Sequence, residues 1–127
     1  MQINKEIFKA YDIRGVYQQD MKPEIAYLIG RALVSHTQAK RVAIGHDMRV
    51  HSPKMHEAAI KGMTEQGADV LDIGLASTPM LYHATGTLDV DAGMIVTASQ
   101  NPAEWNGMKL CRRDAVPIGE GSGMEEI

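Results

Sequence analysis

Ala92-Gly93-Met94-Ile95-Val96 is the segment that most narrows what this chain can become. A strand with one wet face alternates polar and apolar residues, whereas a strand that is apolar at every position is covered on both faces. The flanking segments fit that demand. Arg41-Val42-Ala43-Ile44-Gly45 and Ala68 to Ile73 read as further strands. Pro23 opens a helix whose Ile25, Leu28, Ile29, Ala32 and Leu33 recur at helical spacing to about His36. Ser52-Pro53 caps a second helix that runs to about Gln66 and is ended by Gly67. Thr78-Pro79 opens a short third, roughly Met80 to Thr85. A last strand near Met108–Arg112 follows with no helix before it, so it is expected antiparallel to its predecessor. Ile7 to Tyr11 reads as a short strand and Asp12-Ile13-Arg14-Gly15 as a turn. The alternation predicts a three-layer α/β/α fold with a mixed, mostly parallel four-stranded sheet.

The apolar strand leads into Thr97-Ala98-Ser99-Gln100-Asn101-Pro102, and Asn106-Gly107-Met108-Lys109 returns soon after. Ser99 therefore sits at the carboxyl end of a central strand, where open α/β sheets bind their ligands. A serine there, with a lysine nearby, is a candidate phosphate carrier or nucleophile.

The 127 residues suffice for one domain, 1–127, and not for two. A net charge of −3 argues against nucleic acid or an anionic membrane as partner. One cysteine, Cys111, excludes an internal disulfide and fits a reducing, cytoplasmic setting. No apolar stretch nears the roughly 20 residues of a membrane span, and Met1 to Lys9 lacks the apolar core of a signal peptide. The Gly-rich 119–123 segment precedes what reads as the start of a helix, so the ending is expected to be a truncation.

Several residues have bland readings. Ser99 alone could make an ST-turn. Arg14 could pair with Asp12, Lys109 could be a solvated strand-end charge, and Tyr11 a core-rim aromatic. Asp47 and Arg49 are expected to brace a loop near the strand edge. The five histidines lack the ligand pattern of a zinc site. Gly119, Gly121 and Gly123 make no dinucleotide fingerprint, and Ser99 lacks the Gly-x-Ser-x-Gly elbow of a serine hydrolase.

The motifs FKAYDIRG (8–15), GHDMR (45–49), STP (77–79), TASQNP (97–102) and NGMKL (106–110), with the tail VPIGEGSGMEEI, occur in an order and spacing that resemble the α-D-phosphohexomutases. The likeness is to the first domain of the bacterial phosphomannomutase/phosphoglucomutases and covers essentially the whole chain. It implies a four-domain enzyme of which domains II–IV are not in this chain. It implies that Ser99 is the phosphorylated serine, passing its phosphoryl group to a hexose 1- or 6-phosphate, of mannose or glucose. The bisphosphorylated sugar then turns over and returns its other phosphate. Arg14 and Lys109 match active-site positions that would neutralise the moving group, and Lys109 is a candidate for proton transfer. Gln100 takes a catalytic position, while Tyr11 and Asn101 take substrate-binding ones. The resemblance further implies Mg²⁺, held by the Ser99 phosphate and carboxylates of a later domain, and hexose 1,6-bisphosphate as intermediate and activator.

The chain departs from the family pattern at three places. Gln100 replaces the usual histidine and cannot titrate near neutral pH. His46 stands where arginine is common, and Trp105 where tyrosine is. Asp89 and Asp91 fall at the wrong end of their strand to replace an aspartate-rich metal loop. By this reading the isolated domain is inactive; the alternative is a non-catalytic α/β module or an inactive homologue.

Overall fold

The computed structural model describes residues 3–9, 12–98, 101–119, 121, 123–124 and 127. Among them the chain forms β1 (Ile13–Val16), α1 (Pro23–Thr37), β2 (Arg41–His46), α2 (Ser52–Glu65), β3 (Asp69–Leu75), α3 (Thr78–Thr87), β4 (Ala92–Val96), β5 (Trp105–Arg112) and β6 (Val116–Pro117). The strands form one sheet in the order β1-β5-β4-β2-β3, with β6 on the far part of β5. β2 pairs in parallel with both β3 and β4, and β5 pairs antiparallel with β4, β1 and β6. Only β5 runs against the common direction among the described strands, so the sheet is mixed and mostly parallel, as expected.

Two details differ from the sequence reading. The sheet has six strands among the described residues, not four; the additions, β1 and β6, both lie on β5. The first strand is also displaced. Lys5–Ile7 is a 3-10 turn, Phe8 makes a single bridge to Ile13, and the strand is Ile13–Val16, where a turn was expected. Asp-Ile-Arg-Gly has the composition of a turn, but pairing with β5, some ninety positions away in the chain, overrides it. Gly107 makes that pairing possible, since a Cβ there would come within 1.9 Å of the Ile13 carbonyl oxygen.

The strand pleat divides the core. Val42, Ile44, Met94, Val96, Met108 and Leu110 face α1 and α2, where Ile25, Ile29, Leu33, Met55 and Met63 meet them. Ala43, Ile95 and Cys111 face the opposite way, toward Leu81 of α3. Every β4 residue is therefore buried. β3 is one edge strand of the sheet, and its Asp69 and Asp72 keep that edge polar.

α1 and α2 touch closely because Gly62 lets them. A Cβ at Gly62 would lie 2.1 Å from the Tyr27 carbonyl oxygen. In an open helix, alanine in place of glycine stabilises by about 1 kcal/mol. Here the contact is backbone and cannot yield without moving a helix. Gly62→Ala is expected to destabilise the domain by about 1–3 kcal/mol, read as a lower urea midpoint. A raised midpoint would show that the helices have room to part.

Candidate functional site

β4 ends at Val96, and the ladder continues one residue further through Thr97 N–H to the Gly107 carbonyl, at 2.9 Å. Ser99 and Gln100 lie outside the described residues, as does Tyr11. Both rims of their loop are placed. Asn101 donates its backbone N–H and its side-chain amide to the Ala98 carbonyl, at 3.0 and 2.8 Å. Trp105 N–H closes on the Pro102 carbonyl at 3.0 Å. Asn101, expected as a substrate-binding residue, closes its own turn through these two bonds.

Asp47 and Arg49 hold this loop to the end of β2. Asp47 Oδ1 accepts from Ser52 Oγ at 2.5 Å and from Arg49 N–H at 3.0 Å. Its Oδ2 accepts from Thr97 Oγ1 at 2.8 Å and from Arg49 Nε at 3.1 Å. Arg49 Nη1 donates to the Pro102 and Trp105 carbonyls at 2.7 and 3.3 Å, and Nη2 to the Asn101 carbonyl at 2.9 Å. Sequence reasoning anticipated this brace. It missed Ser52, read as a helix cap: the cap position is His51, and the Ser52 hydroxyl serves Asp47 instead. It also missed Asn106, whose Asn-Gly sequence signals a turn but which lies buried inside β5, donating to Ser52 Oγ and His51 Nδ1.

Arg14 and Lys109 come together by register. Arg14 sits opposite Gly107 in the β1–β5 pair, and Lys109 is two residues further along β5. The strand period of two puts all three on one face, the α3 side. Arg14 pairs with Asp12, which is buried. Its Nε is also buried and has no hydrogen-bond partner among the described residues. The Lys109 ammonium has neither ion pair nor side-chain hydrogen bond there. Asp12 also reaches Tyr82 of α3: burial first, then the charges of Cys111 and Asp12, raise the Tyr82 pKa. This edge therefore presents two cations with donor capacity to spare, beside the loop of Ser99.

Asp89 and Asp91 lie at the opposite edge. Asp91 accepts from Lys40 and Arg41 N–H at the start of β2 and pairs with Arg113. No three His, Cys, Asp or Glu among the described residues could together hold a metal ion. The described side chains thus do not fit a magnesium site by themselves. No described helix is long and apolar enough to cross a membrane.

Residues 5–127 match the profile of a family described as phosphoglucomutase/phosphomannomutase, alpha/beta/alpha domain I. A phosphomannomutase of Klebsiella pneumoniae is 45% identical over 120 residues, which are 94% of this chain and 76% of that protein. A phosphomannomutase of Escherichia coli K12 is 44% identical over the same share of this chain but only 26% of its own length. Among solved structures, a phosphoglucomutase/phosphomannomutase family protein from Burkholderia thailandensis superposes with a TM-score of 0.90 at 34% identity, covering 98% of this chain and 29% of that one. One from Thermus thermophilus, described as a putative phosphomannomutase, gives 0.85 at 26%, covering 94% and 28%. The chain thus spans about a quarter of the length of most of these relatives.

Burial alone would raise the Asp47 pKa, but hydrogen bonds from Ser52, the Arg49 amide and Thr97, together with the Arg49 charge, hold it below its ordinary 3.8. A depressed carboxyl contributes stability that is complete above its unfolded value and is lost as pH falls through the folded one. Asp47→Asn is therefore expected to cost about 2 kcal/mol at pH 7. The gap from wild type should close below about pH 3.8. Urea unfolding of both proteins at pH 7 and pH 3 checks this; an equal gap at both would remove the ionised carboxylate from the account.

Proposed function

The chain belongs to the phosphoglucomutase/phosphomannomutase family, as an α/β/α domain I, and on that premise we propose that Ser99 carries the phosphoryl group that a longer enzyme transfers to a hexose phosphate. The reading is carried by one observation. Arg14 and Lys109 share a face at the ligand-binding edge of the sheet, and neither has spent all of its donors. A buried, unsatisfied guanidinium N–H is costly. An anionic oxygen is its natural partner, and a phosphorylated serine with its sugar phosphate would bring several.

In the forward step the bond between phosphorus and Ser99 Oγ breaks and a bond from phosphorus to a sugar hydroxyl oxygen forms. The hydroxyl proton leaves to a nearby base, for which Lys109, when neutral, is the candidate. Charge on the moving group is met by Arg14 through paired N–H donors and by Lys109, once it has taken that proton, as a compact charge. The product is a hexose 1,6-bisphosphate; after turning over, it returns its other phosphate to Ser99 by the reverse step. Mannose and glucose phosphates both suit this chemistry. Magnesium belongs to the same proposal: it would be held by the serine phosphate and by carboxylates of a later domain. By this reading the domain alone is inactive, because it supplies the phosphate carrier and two cations but no sugar-recognition residues beyond Tyr11 and Asn101. The cytoplasm, where sugar phosphates are held, is the setting proposed.

The test begins with phosphate itself. Incubation of the full-length protein with hexose 1,6-bisphosphate and Mg²⁺ is expected to add one phosphoryl group to the peptide containing Ser99, and none in Ser99→Ala. Lys109→Ala is expected to slow interconversion of hexose 1- and 6-phosphates by about 10²–10³-fold. Phosphate on Ser99→Ala, or an unchanged rate in Lys109→Ala, would overturn the assignment.

Gln100 offers a second measurement. It cannot relay a proton, so Gln100→His is expected to raise turnover in the complete enzyme. An unchanged or lower rate would deny that position a role in proton transfer.

A further inference from the structure

His51 is a half-buried residue that the function above does not use, yet it touches Ala103 after Ser99, Tyr17 just past β1, and Asn106 of β5 at once. Its Nε2 lies 3.1 Å from the Ala103 carbonyl, inside the loop that follows Ser99. Its Nδ1 lies 2.7 Å from Asn106 Nδ2. Its ring stacks on Tyr17, just past β1, at a centroid distance of 4.1 Å and an interplanar angle of 11°.

These contacts fix one protonation state. A carbonyl only accepts, so Nε2 must carry the hydrogen, and Nδ1 is then the acceptor for the Asn106 amide. The amide cannot turn over, because Asn106 Oδ1 accepts Gly107 N–H at 2.8 Å while Nδ2 also serves Ser52 Oγ at 3.0 Å. A proton on Nδ1 would face an NH₂ group. Flipping the amide to relieve that would set the NH₂ against Gly107 N–H. Leaving the amide in place loses the bond to His51; flipping it loses those to Gly107 N–H and Ser52 Oγ, whose own hydrogen goes to Asp47.

From this geometry we infer that His51 is a positioning residue for the Ser99 loop, and that it holds the loop only in its neutral form. The consequence for phosphoryl transfer rests on the reading of Ser99 above. Other charged and titratable groups surround it. Tyr17 covers the ring, Glu104 follows its carbonyl partner, and Asp47 and Arg49 connect to it through Ser52 and Asn106. Lys54, in the first turn of α2, is exposed. The Asp47 carboxyl is held ionised through this range, so it does not titrate alongside the imidazole.

The chain's single tryptophan, Trp105, stands two residues beyond Ala103 and reports on the loop. Between about pH 8 and 5, where imidazoles change charge, wild-type Trp105 emission is expected to shift in a one-proton step. His51→Gln keeps one donor and one acceptor without a titrating proton, and should hold the pH 8 spectrum throughout. A flat wild-type curve, or the same step in His51→Gln, would overturn the inference.

The second arm is transfer rate in the full-length protein. The wild-type rate divided by that of His51→Gln should fall by about tenfold across the window, the worth of one hydrogen bond. Changes common to both proteins, such as ionisation of the substrate phosphate, leave the ratio unmoved. A constant ratio would overturn the positioning role. If neither protein transfers phosphate at any pH, the reading of Ser99 fails, while the Trp105 titration still decides whether His51 governs the loop.

Discussion

The site depends on one carboxylate. Asp47 stands at the end of β2 and accepts four hydrogen bonds from three parts of the chain: the Arg49 loop, the first turn of α2 and the residue after β4. Two of its donors belong to Arg49, whose remaining N–H groups hold three carbonyls on the far rim of the Ser99 loop. Each bond alone is modest in water. Together they are cooperative, because each donor already fixed lowers the entropy cost of the next. The loop's anchors thus belong to the fold itself and need no ligand to hold them.

The reversed strand supplies the other half. Had β5 followed β4 through a helix, it would have run parallel and left the end of β4 remote from Lys109. Joined instead by a short loop, it turns back beside β4, pairs Lys109 with Ile95 and offers its other edge to β1. That edge fixes Arg14 opposite Gly107, so two cations a long way apart in sequence share one face. Asp12 keeps Arg14 oriented, yet it occupies only part of the guanidinium.

The layer order, helix positions and direction of β5 were legible because they rest on local signals: apolar runs, helical spacing, Pro at helix starts and a missing crossover. The brace by Asp47 and Arg49 was legible in outline for the same reason, since both lie just past a strand. Three features were not. β1 looked like a turn because its pairing energy comes from a distant strand. Ser52 looked like a cap because Ser-Pro before a helix usually is one; its hydroxyl was drawn to a carboxylate that no local rule places there. Asn106 looked like a turn residue, and its burial follows only from the sheet closing over it. Ser99, Gln100 and Tyr11, on which the sequence reading placed most weight, lie outside the described residues. The support for Ser99 therefore comes from what surrounds its loop.

The choice of arginine at position 49 follows from the same geometry. Its side chain must reach a carboxylate in one direction and three carbonyls in another, all from a position that is largely buried. A planar guanidinium presents five N–H donors in a fixed fork; a lysine ammonium offers three at a single point. Lysine could satisfy the carboxylate or part of the loop rim, but not both. The neighbours make the same point in reverse. Met48 and Val50, which alternate with Asp47 and Arg49, are 89% and 96% exposed. The loop therefore turns its polar residues inward and its apolar ones outward, the opposite of what hydrophobic burial favours. The hydrogen bonds made by Asp47 and Arg49 favour that arrangement.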